Sequence, residues 1–340
     1  MALGRERRHQ QALKLLLPPP PYPILGPEFF PRYPLPLLLP PFEPGSPRIE
    51  RLSDLEKLAV LGHGNGGTVY KVRHRQSSAV FALKVLRFDR DAAALREQAA
   101  HEAEILKRID SPLVVRCHGV FDGHCGELCF VMEYMDVGSL HDVLRVRRRL
   151  PERVVAGVAR RVLEGLRYLH GVRIVHRDVK PSNLLVNGQG EVKIADFGVS
   201  RVVGVGSKDP ICMDDSYVGT CAYMGPERLD PDSCGDGYDG FAGDVWALGV
   251  VLMECHVGRF PLISAGQRPD WATLMWAICF GDPLMEVGQT ASPEFESFVG
   301  RCLEKDWRRR GSVLELLNHP FVNWCSSTEG LVDDLHGWDE

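Results

Sequence analysis

The sequence lacks several features that mark common classes of protein. It has no excess of positive charge, since 40 Lys and Arg against 45 Asp and Glu give a net charge of -5. Its ten cysteines form no CxxC pair and follow no repeating spacing, which argues against a disulfide framework or a zinc site. We recognise no secretory leader, and no window near the roughly 20 apolar residues of a membrane helix. We therefore expect a monomer with reduced thiols, cytoplasmic or also nuclear, that binds neither nucleic acid nor a membrane.

Proline is concentrated at one end of the chain. Residues 1–50 contain 13 of the 24 prolines, and proline both fixes φ and removes a backbone donor. This composition predicts a disordered arm over residues 1–51. The tract "LLLPPPPYP" is either a plain spacer or a polyproline segment for aromatic-lined grooves.

The rest of the chain separates strand-like runs from helical ones, with 44% hydrophobic residues to supply a core. Alternating runs such as "TVYKVRH" and "VFALKVLRF" come first, interrupted by one helical stretch near residues 91–109, and helical periodicity follows. This segregation is typical of an α+β fold. We predict a small sheet-rich lobe over residues 52–135, a larger helical lobe over 136–322 and a tail over 323–340.

A glycine-rich turn lies between the first two strand-like runs. "LGHGNGGTVYKV" places Gly62, Gly64 and Gly67 where a hairpin could bring backbone N–H groups close to phosphate oxygens. An ordinary glycine-rich hairpin would look the same. A dinucleotide fold requires a helix directly after the glycines, and "TVYKVRH" alternates like a strand, so that alternative is disfavoured.

Two charged residues stand in apolar surroundings. Lys84 interrupts the run "VFALKV", and Glu102 shares a helical face with apolar neighbours in "REQAAHEAEILKRI". A carboxylate on an apolar face needs a cation. We therefore predict a Lys84–Glu102 ion pair that would direct Lys84 towards nucleotide phosphates, although an exposed edge lysine is the simpler alternative.

The segments "HRDVKPSN" and "ADFG" carry the most specific chemistry. Phosphoryl transfer needs a carboxylate that orients the attacking hydroxyl, oxygen ligands for Mg²⁺, and cations that offset phosphate charge. Asp178 would orient the hydroxyl and accept its proton, and Lys180 would contact the γ-phosphate. Asn183 and Asp196 would hold Mg²⁺.

These residues resemble the protein kinase family over about residues 55–322. The motifs "GPE" at 225–227 and "DVWALG" at 244–249 belong to the same resemblance, which also pairs Arg310 with Glu227. It implies a two-lobe fold that uses ATP and Mg²⁺, with adenine bound at the hinge between lobes. The implied ATP-binding residues are the three glycines with Lys84, and Leu61, Val69, Ala82, Met132, Glu133 and Met135.

Within that family, the "KPSN" form resembles serine/threonine or dual-specificity kinases rather than dedicated tyrosine kinases. The segment "SYVGTCAYMGPERLD" resembles MAP kinase kinases, closer to plant than to animal members. The arm agrees, since Arg7 and Arg8 precede Leu13 and Leu15 at the spacing of a MAP kinase docking motif. The resemblance implies dual specificity for threonine and tyrosine in a downstream MAP kinase. It also implies activation by an upstream MAP kinase kinase kinase.

The predicted regulatory switch departs from the family pattern. Ser216 is the expected phosphosite and Arg177 the expected receiver of its phosphate. The second phosphosite is missing, since Cys212 and Pro210 occupy its two usual positions. Asp214 and Asp215 would then supply part of the missing charge, or simply be solvated. The alternative function is a weak or inactive kinase-like scaffold that docks a MAP kinase.

Two smaller points complete the expectations. Gly225 stands where alanine or serine is usual in the family, and we expect only a small increase in backbone freedom from it. The cysteines and histidines of "CHGVFDGHCGELC" could suggest a metal site. The absence of a CxxC pair favours an ordinary β-hairpin.

Overall fold

The computed structural model describes residues 49–64, 67–88, 92–123, 126–204, 220–229, 239–263, 271–282, 284 and 291–323. Three sets of predictions fall outside these ranges: the arm with its docking residues, the switch segment with Ser216, and the tail after residue 323.

The first lobe is a five-stranded antiparallel sheet in the order β1-β2-β3-β5-β4. Its strands are β1 (Leu55–Gly64), β2 (Gly67–His74), β3 (Val80–Leu86), β4 (Cys117–Asp122) and β5 (Leu128–Glu133).

The alternation of β3 determines which face of the sheet carries chemistry. Phe81, Leu83 and Val85 are buried in an apolar cluster on one face. Because side chains alternate along a strand, Ala82 and Lys84 lie on the opposite face.

One helix, α1 (Ala93–Leu106), crosses the first lobe. Its buried stripe contains Ala99, Ala103 and Leu106, which belong to the same core as Leu86 and Phe130 of the sheet. Glu102 is the charged residue in that stripe and is itself buried. The predicted helical stretch is confirmed, and it presents Glu102 to the interior.

The second lobe is mainly helical. Its helices are α2 (Leu140–Arg147), α3 (Glu152–Gly171), α4 (Pro226–Leu229), α5 (Gly240–Val257), α6 (Trp271–Cys279), α7 (Pro293–Cys302), α8 (Val313–Leu317) and α9 (Pro320–Asn323). Two small sheets complete it: β6 (Gly138–Ser139) with β8 (Leu184–Val186) and β9 (Val192–Ile194), and β7 (Ile174–Val175) with β10 (Arg201–Val202). The α+β fold with a sheet-rich and a helical lobe is confirmed.

Local signals set the ends of two of these helices. Ser139 caps α2 through a capping box, because its hydroxyl accepts from Asp142 N while the Asp142 carboxylate accepts from Ser139 N. Asp239 caps α5, accepting from Phe241 N at 3.0 Å. At the other end of α5, Gly258 takes the left-handed conformation with φ 82°.

Helix α5 is more apolar over its length than we expected of any segment of this chain. Its 18 residues reach a mean hydropathy of 1.3, enough by length and composition to cross a membrane. The expectation that no window approaches this character is therefore wrong. Two-thirds of the helix is buried within the protein, where it packs against α3 and α7 as a core helix.

Candidate active site

The glycine-rich turn is the hairpin between β1 and β2. Gly62 lies opposite Val69, and Gly64 lies opposite Gly67. A Cβ atom at Gly67 would lie 2.6 Å from the carbonyl oxygen of Val85 on β3. Glycine is therefore required there because β2 and β3 approach too closely for a side chain. Gly62 has no such neighbour within 4 Å, so its Cβ position is open.

Lys84 lies between two carboxylates. Its Nζ is 2.7 Å from Glu102 Oε1 on α1 and 2.9 Å from Asp196 Oδ1, which follows β9. The predicted Lys84–Glu102 ion pair is present, and the alternative of an exposed edge lysine is wrong. The contact with Asp196 adds a link to the second lobe that the sequence did not indicate.

Burial and charge act in opposite directions in this triad. Burial alone would lower the pKa of Lys84, but the carboxylates of Asp196 and Glu102 outweigh it and hold the pKa above its ordinary value. Burial raises the pKa of Glu102, partly offset by Lys84. Burial would also raise the pKa of Asp196, yet the charge and hydrogen bond of Lys84 hold it below its usual range. Lys84 therefore stays charged between the two carboxylates.

Asp178 is buried beside a cation and an amide. Its Oδ2 accepts from Lys180 Nζ at 2.8 Å and from Asn183 Nδ2 at 2.8 Å. Its Oδ1 is also buried, and it has no hydrogen-bond partner among the described residues. Burial raises the pKa of Asp178, and Lys180 opposes this rise. One carboxylate oxygen is thus held in place while the other can accept a proton.

Asn183 and Asp196 can offer oxygen atoms to a metal ion. Asn183 Nδ2 donates to Asp178 O at 2.9 Å and to Asp178 Oδ2, which leaves Asn183 Oδ1 as an acceptor. A bond from Ala195 N to Asn183 O at 2.8 Å holds the two segments together. An amide oxygen and a carboxylate suit Mg²⁺, which usually completes its shell with water and substrate phosphates. The described ranges contain no cluster of three or more His, Cys, Asp or Glu side chains for an all-protein metal site.

Asp244 of "DVWALG" binds the backbone of the loop that carries Asp178. Fully buried in α5, it accepts from His176 N at 2.9 Å and from Arg177 N at 2.8 Å. His170 Nε2 lies 2.9 Å from Asp244 Oδ2, the same oxygen that accepts from His176 N. Burial would raise the pKa of Asp244, but these hydrogen bonds and charges hold it below its usual range. The sequence alone does not indicate this role of Asp244, because its partners lie about 70 residues away.

Comparison with known proteins agrees with this geometry. The family model for the protein kinase domain matches residues 55–322. The chain belongs to the protein kinase family. It is 50% identical over 326 residues to mitogen-activated protein kinase kinase 10 of Arabidopsis thaliana, covering 95% of this chain and 99% of that protein. It is 53% identical over 270 residues to kinase kinase 9 of the same plant, covering 79% and 84%. These relatives place the chain among the plant MAP kinase kinases, as predicted.

The segment predicted to be the hinge between the lobes begins within β5. Met132 pairs with Ala82 of β3 across the sheet, and Met135 is buried. The Glu133 carboxylate accepts from Lys193 Nζ at 2.6 Å and from Arg116 N at 3.2 Å. Because its side chain is held by protein, Glu133 could contact a nucleotide only through its backbone.

The described end of the activation segment is fastened to the kinase core. Tyr223 donates to Glu254 Oε2 at 2.6 Å, and Arg228 Nη1 donates to Arg177 O at 3.1 Å. Residues 220–229 are therefore attached both to α5 and to the loop that carries Asp178.

The Arg310–Glu227 pair expected of a kinase is present. Its two hydrogen bonds measure 2.8 and 2.9 Å, and both side chains are buried. A Cβ atom at Gly225 would lie 2.6 Å from Glu227 Oε2. The expectation that Gly225 matters only through backbone freedom is therefore incomplete, since the glycine also leaves room for this carboxylate.

The cysteine and histidine segment forms strands in this kinase, in agreement with the hairpin interpretation. Cys117 lies on β4 and Cys129 on β5, while His124 and Cys125 fall outside the described ranges. Burial raises the pKa of Cys117 to about 11. Its thiol is therefore protonated at neutral pH.

Proposed function

We propose that this MAP kinase kinase transfers the γ-phosphoryl group of ATP to threonine and tyrosine in the activation loop of a MAP kinase. The supporting observation is a set of contacts among the side chains proposed for catalysis and metal binding. Lys84 contacts both Glu102 and Asp196, and Asn183 donates a hydrogen bond to the Asp178 carboxylate. The names of the relatives support the substrate class.

The positions of these side chains suggest their roles in the reaction. Lys84 would bind ATP phosphates, because Glu102 and Asp196 hold its ammonium group in the cleft. The free oxygen Asp178 Oδ1 would accept the proton of the substrate hydroxyl while the hydroxyl oxygen of the substrate bonds to the γ-phosphorus. The bond from this phosphorus to the β,γ-bridging oxygen then breaks and ADP leaves. Asn183 and Asp196 would hold Mg²⁺, which offsets triphosphate charge when bound.

Lys180 has two effects on this step. Its ammonium group lies 2.8 Å from Asp178 Oδ2, so it opposes the pKa rise that burial imposes on the base. The same group can reach the γ-phosphate and offset the charge of the moving phosphoryl group.

The test is to incubate the purified full chain with MgATP and a panel of MAP kinases, and to map modified residues by mass spectrometry. We expect phosphate on both threonine and tyrosine of one activation loop. Asp178→Asn is the matched control, since it keeps the side-chain size and removes the base. Modification of serine and threonine alone would contradict dual specificity.

The alternative is a catalytically weak scaffold that docks a MAP kinase, and the missing second phosphosite favours it. The same assay separates the two functions. Transfer by wild type and none by Asp178→Asn excludes the scaffold. Binding of a MAP kinase with equal, background transfer by both proteins would favour it.

Regulation through the segment around Ser216 forms a further part of the proposal. An upstream MAP kinase kinase kinase would phosphorylate Ser216, and the phosphate would bind Arg177. Asp214 and Asp215 would partly bias the segment towards activity beforehand, since each carboxylate carries about half the charge of a phosphate. Ser216→Ala should therefore retain measurable activity. Complete loss in that variant would remove any role for the aspartates.

Docking through the arm is the last part of the proposal. Arg7 and Arg8 would contact an acidic patch of the MAP kinase, and Leu13 and Leu15 would fill a groove. Arg7→Glu combined with Arg8→Glu should raise KM for the MAP kinase and leave KM for ATP unchanged. An unchanged KM for the MAP kinase would show that docking does not use these residues.

A further inference from the structure

A pocket with an apolar floor lies in the helical lobe, outside the set of catalytic side chains. It has a volume of about 210 Å³ and lies between α2, α3 and the β8–β9 hairpin. Its floor consists of aliphatic side chains: Val143, Leu150, Val154, Val158, Val186 and Val192. A surface of this composition favours an apolar side chain over water.

Arginines form one rim of the pocket. Arg147 and Arg149 line it directly, and Arg148 lies between them in the turn from α2 to α3. All three side chains are exposed, and none makes an ion pair with a residue in the described ranges. Three unneutralised guanidinium groups beside an apolar floor fit a segment that carries both acidic and large apolar residues.

The chain itself contains such a segment after its last described helix. Residues 324–340 contain five Asp and Glu and no Lys or Arg. Four large apolar residues occur among the acids, in "GLVDDLHGWDE" at 330–340: Leu331, Val332, Leu335 and Trp338. Residues 1–48, which make up most of the arm, have the opposite balance, with six Lys and Arg against three Asp and Glu.

The tail begins close enough to reach the pocket. Helix α9 ends at Asn323 and packs against α3, and the first half of α3 supplies Val154 and Val158 to the floor. The 17 residues beyond Asn323 can span up to about 56 Å when extended, at about 3.3 Å per residue. This reach exceeds the dimensions of a typical lobe. Because the tail is tethered to the same chain, an intramolecular contact is favoured over one with a second molecule.

We propose that the acidic tail of this chain docks into this pocket, with Leu335 or Trp338 on the apolar floor and Asp333 and Asp334 against Arg147 and Arg149. The docked tail would support a hairpin that bears on catalysis. Val186 and Val192 of the floor belong to β8 and β9, and that hairpin runs from Asn183 to Asp196. The proposal does not depend on which protein the kinase phosphorylates.

A charge-swap experiment on the full chain tests the contact. The tail variant carries Asp333→Lys and Asp334→Lys, and the rim variant carries Arg147→Glu and Arg149→Glu. We expect amide exchange over residues 144–151 to become about tenfold faster in either variant, because the docked tail no longer covers this turn. Combining both pairs of substitutions restores opposite charges, so protection should return. Arg108→Glu, an exposed arginine at the end of α1, is the matched control and should change nothing.

Two further measurements identify the occupant. A synthetic peptide of residues 326–340, added to the tail variant, should restore protection of residues 144–151, and the same peptide with both aspartates changed to lysine should not. Protection in wild type should also be independent of protein concentration. Unchanged exchange in both charge variants overturns the proposal. Protection that rises with concentration, together with a doubled mass by ultracentrifugation, overturns it in favour of a second copy.

Discussion

Two ion pairs in this kinase have similar partners and different surroundings. Lys84 in the first lobe pairs with Glu102 but also serves Asp196, so one cation is divided between two carboxylates. Arg310 in the second lobe donates two hydrogen bonds to the Glu227 carboxylate. It donates others to the backbone carbonyl groups of Ala242 and Glu304. The side chain of Lys84 is 18% exposed, whereas that of Arg310 is 0% exposed.

This difference separates a functional pair from a structural one. The contacts of Lys84 join α1, β3 and the residue after β9, so a movement of α1 would leave the lysine with Asp196 alone. The guanidinium of Arg310 is buried, and it makes two hydrogen bonds to the same carboxylate. A planar guanidinium can form this two-bond arrangement, whereas an ammonium group cannot match it as well. We therefore expect substitutions in the first pair to affect activity, and substitutions in the second to affect folding.

The largest effect is expected from Glu227→Gln. This change leaves the buried guanidinium of Arg310 without its counter-charge, which should lower the free energy of unfolding by about 3–5 kcal/mol. Denaturant unfolding measures this loss. Glu315→Gln is the matched control, since Glu315 forms an exposed pair with Arg301, and it should change stability by less than about 1 kcal/mol. Equal losses in the two variants would contradict the structural role of the buried pair.

Asp244→Asn tests a carboxylate that is held mainly by backbone N–H groups. An amide must turn its NH₂ towards one of these donors, so stability should fall by about 1.5–3 kcal/mol at neutral pH. Because the pKa of Asp244 is lowered on folding, its contribution is present above the unfolded pKa of about 4 and is lost as pH falls through the folded pKa. The difference between wild type and variant should therefore shrink in acid. A difference that stays constant with pH would argue against an ionised Asp244.

Glu102→Gln should separate activity from stability in the first pair. Burial raises the pKa of Glu102, so loss of its charge removes an unfavourable burial as well as a partner. The free energy of unfolding should fall less than in Glu227→Gln, because Lys84 keeps Asp196 as a partner. In contrast, kcat/KM should fall about tenfold or more because Lys84 loses direction. Steady-state kinetics and denaturant unfolding on the same preparation test this. A fall in stability with unchanged kcat/KM would reverse the comparison.

The smallest effect concerns the acidic limb of the pH profile. Burial raises the pKa of Asp178 and Lys180 opposes the rise, so Lys180→Met should raise this pKa further. The acidic limb of kcat/KM, which requires the ionised carboxylate, should therefore move to higher pH. Lys180→Arg keeps the charge and is the control. A limb at the same pH in wild type and Lys180→Met would show that Asp178 does not define it.

The sequence predicted those parts of the site that depend on local order. The hairpin of Gly62 to Gly67, the helix that carries Glu102, and the loop of Asp178 and Asn183 each lie within one short segment. Their chemistry could therefore be inferred from spacing. The Lys84–Glu102 pair was accessible in the same way, since a buried charge needs a partner of opposite sign. The Arg310–Glu227 pair was implied only by the resemblance to the kinase family.

Other contacts depend on tertiary packing and left no signal in the sequence. Asp244 reaches the backbone of His176 and Arg177 from 67 residues or more away, and backbone donors are the same for every residue type. Lys193 binds Glu133 across 60 residues, although either could have been a solvated surface charge. The character of α5 was missed because its Asp244 and Glu254 interrupt the apolar run. Cytoplasmic or nuclear location and the monomeric state remain predictions from the sequence.

The close approach at Gly67 has a mechanical consequence for nucleotide binding. Val69 lies opposite Lys84, and Gly67 opposite Leu86, so the predicted roof of the ATP site and the lysine proposed to bind phosphate lie on one pair of adjacent strands. The outer face of β3, with Phe81, Leu83 and Val85, is packed in a separate apolar cluster. A change in that outer layer, remote from any ligand, should therefore shift roof and lysine together and alter the KM for ATP.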